Sequence, residues 1–318
     1  MSGLQRCAHT RIPMRVAVYG AGAVGGFFGG KLATVPSLDV KFVARGETLR
    51  VLRDNGLTLR TVGGDQVIRS FTATDRLEEV GEVDVVLVCT KAWQVPEVAE
   101  KVKASGMLGS DTVVVPLQNG MDSVDCLKDT LGAEHTAGGL CRIFAFIESP
   151  GCIRVPAKVA TVDFGGLGNG CVPHTHRHLQ ALLAAFTEAD VKATLSEDMW
   201  PEMWRKFMSI CVLSGMPGIT RGSWGEILDS PQTWAMCERC VAEAVAVANG
   251  SGQSFSSEYV QSVIQHLKSL PRDLTASMAR DVVAGKPSEL EAQLGAMVRY
   301  AEAAGVSAPT LSTIYAAL

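Results

Sequence analysis

Three glycines near the start of the chain have the spacing of a site that holds a phosphate group. They belong to the run Gly20-Ala21-Gly22-Ala23-Val24-Gly25, which follows the apolar segment RVAVY and opens a helical pattern. In a strand–turn–helix unit, the first glycine permits a tight turn, the second lets the backbone approach a pyrophosphate, and the third allows the helix to pack closely on the strand. The pyrophosphate then lies at the positive end of the helix. The run therefore predicts a bound dinucleotide, and a glycine-rich turn without a ligand is the alternative.

The arginine in the segment VKFVARG, Arg45, bears on which dinucleotide is bound. About twenty residues beyond such a glycine run, an NAD site usually offers an acidic side chain to the ribose 2′-hydroxyl. A cation at this place pairs with the 2′-phosphate of NADP, which a carboxylate would repel. We therefore expect NADP (NADPH) rather than NAD as the cofactor. A solvated loop arginine with no ligand is the alternative.

Two further polar residues follow later apolar runs of the first half. Lys91 lies in TKAWQ, directly after VDVVLVC, and Asn119 lies in QNGM, directly after TVVVPL. Open parallel sheets bind their ligands at the carboxyl ends of the strands, so both side chains are expected within reach of a cofactor or substrate. Taken singly, a solvated lysine at a helix start and a turn asparagine before glycine explain them equally well.

The elements that must position these residues change character along the chain. β-Branched runs predict strands over residues 15–19, 40–43, 83–90 and 112–117, with helices between them. Continuous apolar runs such as VDVVLVC indicate strands buried on both faces, as in a parallel sheet covered by helices. After about residue 198, helical periodicity takes over. The pattern predicts an α/β Rossmann-type N-terminal domain followed by an all-α C-terminal domain.

The composition excludes several classes of protein. The chain has 318 residues, of which 47% are hydrophobic and 19% charged, and its net charge is −4, so it is globular and carries no basic region suited to nucleic acid. The sequence has no apolar run of about eighteen residues that could span a membrane. Nine cysteines indicate reduced thiols and a cytoplasmic protein. The first thirteen residues hold two arginines and no acid, which leaves organellar targeting open.

Two sequence clusters have the residue types of a metal site. The first is the run HTHRH over residues 174–178, and the second is CERC over 237–240. The alternate histidines of the first run would face the same side only on a strand, and the second has no further CxxC or CxxH to complete a site. We therefore interpret them as a surface loop and a pair of helix cysteines, and expect no metal.

Several motifs follow one another along the chain: GAGAVGG, TKAWQV, LQNGM, WRKF and SMARDVVAGKPSELEAQLG. In this order they resemble the ketopantoate reductase (2-dehydropantoate 2-reductase) family, and the resemblance extends from about residue 14 to residue 318. It implies a 6-phosphogluconate dehydrogenase-like fold. The implied domains are an NADP-binding Rossmann-like domain over 14–197 and a helical substrate and catalytic domain over 198–318.

Two residues of the second half match the catalytic groups of this family. Lys206 in WRKF matches the lysine that protonates the carbonyl oxygen, and Glu289 in SELEAQLG matches the glutamate that engages the substrate and the lysine. Hydride transfer to a ketone builds negative charge on oxygen, which a nearby ammonium stabilises and protonates. Taken singly, Lys206 also fits a lysine extending from an apolar helix to water, and Glu289 fits a first-turn glutamate.

The resemblance also implies binding roles. Ser277 matches a serine that contacts the substrate carboxylate, Asn119 an asparagine beside the nicotinamide and the substrate, and Lys91 a lysine that helps to hold cofactor or substrate. The remaining cofactor positions fall on Gly20, Ala21, Gly22, Ala23, Val24, Gly25 and Arg45.

Four positions depart from the family pattern, and each replaces a polar residue, most often an amide. Ile210 and Ser214 stand four and eight residues after the predicted catalytic lysine, where the family commonly has asparagines. Trp224 replaces another asparagine, and Leu274 replaces a polar residue shortly before the SM dipeptide. These changes predict a more apolar substrate pocket and leave the physiological substrate open.

The motifs together lead us to expect NADPH-dependent reduction of a 2-oxoacid to a 2-hydroxyacid, most directly of 2-dehydropantoate to pantoate in pantothenate biosynthesis. Another 2-oxoacid or opine-type dehydrogenase of the same superfamily is one alternative, and a non-catalytic NADP-binding sensor is another. The expected partner is a small 2-oxoacid, and neither nucleic acid nor a membrane is expected. Whether the chain forms a homodimer, and in which direction it works in the cell, are left open.

Overall fold

The computed structural model describes residues 13–168 and 173–318. Residues 1–12, considered above for organellar targeting, and residues 169–172 lie outside the described residues. The described chain divides into two units. The first comprises the residues up to Thr90 together with Glu97–Leu117 and Lys128–Glu197, and the second comprises Lys91–Pro96, Gln118–Leu127 and Asp198–Leu318.

The first unit is built on a five-stranded parallel sheet. The strands of this unit are β1 (Met14–Tyr19), β2 (Leu38–Val43), β3 (Leu57–Thr61), β4 (Gly64–Ile68), β5 (Thr72–Thr74), β6 (Val83–Val88), β7 (Leu108–Pro116), β8 (Gly138–Arg142), β9 (Phe146–Ser149), β10 (Cys152–Val155), β11 (Thr161–Gly165) and β12 (Lys192–Ser196). The parallel sheet has the order β5-β2-β1-β6-β7. Two smaller sheets, β4-β3-β10-β9 and β12-β11-β8, complete the set.

The helices of the first half connect these strands. They are α1 (Ala23–Leu32), α2 (Gly46–Asn55), α3 (Val95–Ala104), α4 (Asp122–Leu131) and α5 (Pro173–Glu188). Residues 85–88 of β6 are fully buried, as the continuous apolar run predicts. A glycine in α1 lets the helix lie close to the sheet, because a Cβ atom at Gly29 would stand 2.8 Å from the Phe42 ring and from Val18. The predicted Rossmann-type parallel sheet is confirmed.

The second unit is mainly helical, as predicted. Its helices in the second half are α6 (Trp200–Thr220), α7 (Trp224–Asp229), α8 (Pro231–Gly250), α9 (Ser257–Lys268), α10 (Ser277–Val283), α11 (Ala296–Ala304) and α12 (Pro309–Ala317). A π-helical turn, Glu291–Gly295, leads into α11. Helix α6 is central, since it packs against α8, α10, α12 and this turn. None of the helices in the described ranges has both the length and the apolar character needed to cross a bilayer.

Two details of the helical unit are not evident from helical periodicity. Helix α6 extends to Thr220 and includes Pro217 near its carboxyl end. Gly215 lets α6 lie close to its neighbours, because a Cβ atom there would lie 3.2 Å from both the Ile314 and the Leu294 side chains. The short helix α7 is not predicted by periodicity, and it begins with a capping box between Ser223 and Glu226.

Candidate functional site

The glycine run of the first unit forms the turn between β1 and α1. Gly20 has a φ of +102°, a left-handed conformation that favours glycine. A Cβ atom at Gly25 would lie 1.9 Å from the Gly20 carbonyl oxygen, whereas one at Gly22 would meet nothing within 4 Å. Gly22 is the N-cap residue of α1, and as a glycine it has no side chain that could accept a hydrogen bond from the first N–H groups of the helix. Open space at the start of a helix with uncapped N–H groups fits a pyrophosphate.

Arg45 lies at the carboxyl end of β2, where it is the exposed N-cap residue of α2. Its charge acts together with that of Lys101 on Tyr19, the last residue of β1. Burial raises the pKa of the Tyr19 hydroxyl, and the positive charges of Lys101 and Arg45 partly oppose this rise. Arg45 also helps to lower the pKa of Glu97, although the Lys101 ammonium is the main cause. Lys101 is itself paired with Glu97, so the exposed Arg45 guanidinium is the group at this end of the strands that could meet an anionic part of a dinucleotide.

In the second unit, Asn119 and Gly120 follow β7 and pack directly against the segment that carries Glu289. Gly120 has a φ of +99°, and a Cβ atom there would lie 2.2 Å from the Ala292 carbonyl oxygen. Only glycine permits both the turn and this approach. The Asn119 amide consequently reaches Glu289, and its Nδ2 donates to the Glu289 Oε2 atom at 3.4 Å.

The carboxylate of Glu289 is the centre of a buried polar cluster. Glu289 is only 5% exposed. Its Oε1 atom accepts a hydrogen bond from the Ala92 N–H at 3.3 Å, and its Oε2 atom lies 3.8 Å from Lys91 Nζ. Together with Asn119, these contacts satisfy both carboxylate oxygens, as a buried charge requires. We call Lys91, Ala92, Asn119, Asp281 and Glu289 the Glu289 cluster.

Asp281 is a member of this cluster that the sequence reasoning did not assign. Its Oδ2 atom lies 3.7 Å from Lys91 Nζ, so the lysine stands between two carboxylates. The Trp93 ring lies below the ammonium, with 5.8 Å between Nζ and the ring centroid. The aspartate was visible in the motif SMARDVVAGKPSELEAQLG, but its partner could not be identified without the packing of α10.

The other two predicted residues of the second half lie on neighbouring helices. Lys206 is partly buried on α6, and Ser277 is the partly buried first residue of α10. Helices α6 and α10 pack against each other. One helical turn along from Lys206, Ile210 is also partly buried, whereas Ser214 is fully buried. The face of α6 that carries the lysine is therefore apolar at its next turn.

The remaining two departures from the family pattern have different environments. Trp224 is fully buried, and its indole N–H donates to the Leu267 carbonyl at 2.9 Å. This tryptophan therefore belongs to the core of the helical unit. Leu274 is partly buried in the segment before α10.

Next to Glu289, the π-helical turn buries a further amide side chain. Gln293 is fully buried, its N–H donates to the Glu289 carbonyl at 3.0 Å, and neither polar atom of its side chain finds a hydrogen-bond partner among the described residues. The Ser214 Oγ atom is likewise buried without a hydrogen-bond partner among the described residues. π-Helical turns are rare and are frequent at functional sites, and an unpaired buried amide destabilises the fold.

A cavity of about 400 Å³ lies beside the Glu289 cluster. Its walls are mainly apolar and come from three segments of the second unit; they include Trp93, Pro96, Cys126, Pro287 and Ala292, with Glu289 at one side. Lys206 and Ser277 are not among the described residues that line it. The cavity is therefore not formed around the predicted catalytic lysine.

One thiol, that of Cys89, lies two residues before Lys91 in the sequence. Burial raises the pKa of Cys89, which ends the strand segment before Lys91, well above its usual value, so this thiol stays protonated. Across residues 13–168 and 173–318, no group of His, Cys, Asp and Glu is arranged to hold a metal ion.

Comparison with known proteins places this arrangement in a family. The family sequence model for ketopantoate reductase PanE/ApbA matches residues 16–168, and the family model for the ketopantoate reductase C-terminal domain matches residues 198–318. The uncharacterized oxidoreductase YkpB of Bacillus subtilis (strain 168) is 26% identical over 305 residues, which cover 96% of this chain and 98% of the relative.

Solved structures share the fold over nearly the whole chain. A PanE/ApbA family ketopantoate reductase from Ralstonia eutropha JMP134 has a TM-score of 0.83 and 26% identity, with 95% of this chain and 96% of that chain covered. A D-mandelate dehydrogenase solved with NADH and anilino(oxo)acetate has a TM-score of 0.84 at 22% identity, with 96% and 97% covered, which is a likeness of fold. Because the family models span both halves of the sequence, the chain belongs to the ketopantoate reductase PanE/ApbA family of oxidoreductases.

Proposed function

We propose that the protein is an NADPH-dependent reductase that converts a 2-oxoacid into a 2-hydroxyacid, most directly 2-dehydropantoate into pantoate. The observation that carries the proposal is the Glu289 cluster, in which an amide and an ammonium each lie within 3.8 Å of an oxygen of a buried carboxylate. Such a set can bind a small molecule that carries a carboxylate, a carbonyl and a hydroxyl group. In this proposal, residues 14–197 bind the cofactor and residues 198–318 supply the catalytic groups.

The cofactor would be held by the turn over residues 20–25 and by Arg45. The open space at Gly22 and the start of α1 support a pyrophosphate there, and the exposed guanidinium supports a 2′-phosphate. When bound, NADPH supplies the hydride that reaches the ketone carbon. Lys91 and Asn119 are proposed to lie beside the cofactor as well as the substrate.

The chain's own groups handle the proton and the substrate. Lys206 donates a proton to the ketone oxygen, where negative charge develops. Glu289 accepts a hydrogen bond from the substrate hydroxyl or orients the lysine. Ser277 and Asn119 donate hydrogen bonds to the substrate, and Lys91 supplies a positive charge for an anionic group.

A second candidate is reduction of a different 2-oxoacid, with an apolar side chain. Ile210 favours it, because this partly buried residue follows Lys206 by one turn of α6. The D-mandelate dehydrogenase with the same fold was solved with an aromatic oxoacetate and NADH. An opine-type dehydrogenase and a non-catalytic NADP-binding sensor are further alternatives.

The decisive experiment measures oxidation of NADPH and of NADH by the purified protein with a panel of 2-oxoacids. The panel contains 2-dehydropantoate, pyruvate, a branched aliphatic 2-oxoacid and phenylglyoxylate. Highest kcat/KM with 2-dehydropantoate supports the first candidate, and highest kcat/KM with the branched or aromatic acid supports the second. Binding of NADPH without turnover of any acid would favour the sensor.

The cofactor assignment is tested by Arg45→Ala. Loss of a charge-assisted contact to the 2′-phosphate should weaken NADPH binding by about one to two decades, or roughly 1.5–3 kcal/mol, and leave NADH binding nearly unchanged. Arg50→Ala is the matched control, because Arg50 is also exposed on α2 and pairs with Glu47 and Asp54. An NADPH-to-NADH affinity ratio that is equal in the parent and in Arg45→Ala would reject the assignment.

A further inference from the structure

The geometry points to Asp281 as a positioning residue that holds the Lys91 ammonium away from Glu289. This inference rests on the proposed function, because it concerns the availability of the Glu289 carboxylate to a substrate. The Asp281 carboxylate has no role in the proposed reaction itself, and this inference gives it one.

The distances place Lys91 between two acids. Its Nζ atom lies 3.7 Å from Asp281 Oδ2 and 3.8 Å from Glu289 Oε2. Charge-assisted hydrogen bonds between an ammonium and a carboxylate have N–O distances of about 2.7–2.9 Å. The ammonium therefore makes such a direct contact, called a closed pair below, with neither carboxylate. The side chain of Lys91 is 44% exposed, that of Asp281 27% and that of Glu289 5%. The lysine thus stands at the mouth of the cluster, with the buried acid behind it.

Glu289 already has donors on both oxygens without a closed lysine pair. Ala92 N–H donates to Oε1, and Asn119 Nδ2 donates to Oε2. A closed contact with Lys91 would occupy the Oε2 lone pair that faces the ammonium and would neutralise the only carboxylate buried in the cluster. A substrate donor group would then have to displace the ammonium before it could reach Glu289.

Asp281 opposes that closure. Its negative charge attracts the same ammonium from α10, at a distance equal to within 0.1 Å of the distance to Glu289. The Trp93 ring, whose centroid lies 5.8 Å from Nζ, adds a further attraction for the cation. Among the described residues, removal of the Asp281 charge leaves Glu289 as the acidic partner of Lys91, so the lysine should move onto it.

The test is the substitution Asp281→Asn, which removes the charge and retains the shape. We expect KM for the best 2-oxoacid to rise about tenfold, with kcat changed by less than about threefold, because the substrate must first separate a closed Lys91–Glu289 pair. Asp281→Glu should restore most of the parent KM. Asp273→Asn, an exposed aspartate in the segment before α10, is the matched control and should leave KM unchanged.

A double mutant separates positioning from a general structural effect. In a Lys91→Met background, Asp281→Asn should add no further increase in KM, because the cation it positions is absent. A full additional tenfold increase in that background would overturn the inference. So would equal KM values for the parent and Asp281→Asn.

A crystal structure of Asp281→Asn gives a readout that does not depend on turnover. The distance from Lys91 Nζ to Glu289 Oε2 should shorten from 3.8 Å to about 3 Å. If the parent reduces no 2-oxoacid, the proposed function fails, and this distance still decides whether Asp281 holds the lysine. An unchanged distance would overturn the positioning role even in an active enzyme.

Discussion

The glycine turn before α1 and the Glu289 cluster are built in opposite ways. The turn uses one continuous run of residues and contributes backbone N–H groups and free space. The cluster takes its polar atoms from segments that lie far apart in the sequence, since Ala92 and Glu289 are separated by 197 positions. A site made of backbone is specified locally, whereas a site made of charges depends on the packing that brings distant segments together. Substitutions in the turn should therefore reduce stability or dinucleotide affinity, whereas substitutions in the cluster should impair substrate binding or turnover.

The largest effect is expected for Lys206→Ala. If Lys206 is the general acid, turnover should fall by about 10²–10⁴-fold, while the affinity for NADPH changes little. Arg205→Ala is the control on the same helix, since that side chain is 42% exposed and pairs with Glu202. The loss for the double variant with Glu289→Ala should be smaller than the product of the two single losses.

Near-parent turnover of Lys206→Ala with every accepted 2-oxoacid would show that this lysine is structural. The proton would then have to come from a group other than Lys206, and the Glu289 cluster would keep only its proposed role in binding the substrate.

An intermediate effect, on stability, is expected for Gly25→Ala. Its Cβ atom would lie 1.9 Å from the Gly20 carbonyl oxygen and 2.9 Å from Cys89 Cβ, so the turn must shift at a cost of about 1–3 kcal/mol. Gly22→Ala is the matched control, because a Cβ atom there meets nothing within 4 Å. Denaturant unfolding should separate the two variants, and only the affinity for the dinucleotide should fall in Gly22→Ala. Equal unfolding free energies would contradict the local account of the turn.

The smallest effect is expected for Gln293→Met. Methionine has nearly the same shape as glutamine and leaves no unpaired amide, so the free energy of unfolding should rise by about 1 kcal/mol. Thermal unfolding measures the sign, and turnover checks that the neighbouring Glu289 is undisturbed. A loss of stability would mean that the amide has a partner in solution, for which buried water is the first candidate.

The sequence was most informative where structure is determined locally. Continuous apolar runs predicted β1, β6 and β7, and the glycine spacing predicted the turn before α1, because both depend on neighbouring residues. The ordered motifs selected Lys91, Asn119 and Glu289, which the structure brings together. The part played by Lys206 and Ser277 stays a prediction.

What the sequence did not reveal depends on tertiary packing. The pairing of Asp281 with Lys91 requires α10 to lie against a turn from the first half of the sequence. The π-helical turn at 291–295 breaks an apolar helical pattern without any proline or glycine signal at its start. Trp224 was considered as a change in the substrate pocket, and only its contact with Leu267 shows it to be part of the core.

The helical unit is made of segments from both halves of the sequence, which limits how members of the family can exchange domains by recombination. Residues 91–96 and 118–127 belong to it although they are encoded within the first half of the chain. Gly120 packs on Ala292, and Arg299 pairs with Asp122, so these short segments complete the helical unit. A recombination event that joined residues 198–318 to the first half of another protein would bring in foreign versions of both segments. We therefore expect the two halves of the sequence to be inherited together, because residues 91–96 and 118–127 of the first half complete the helical unit.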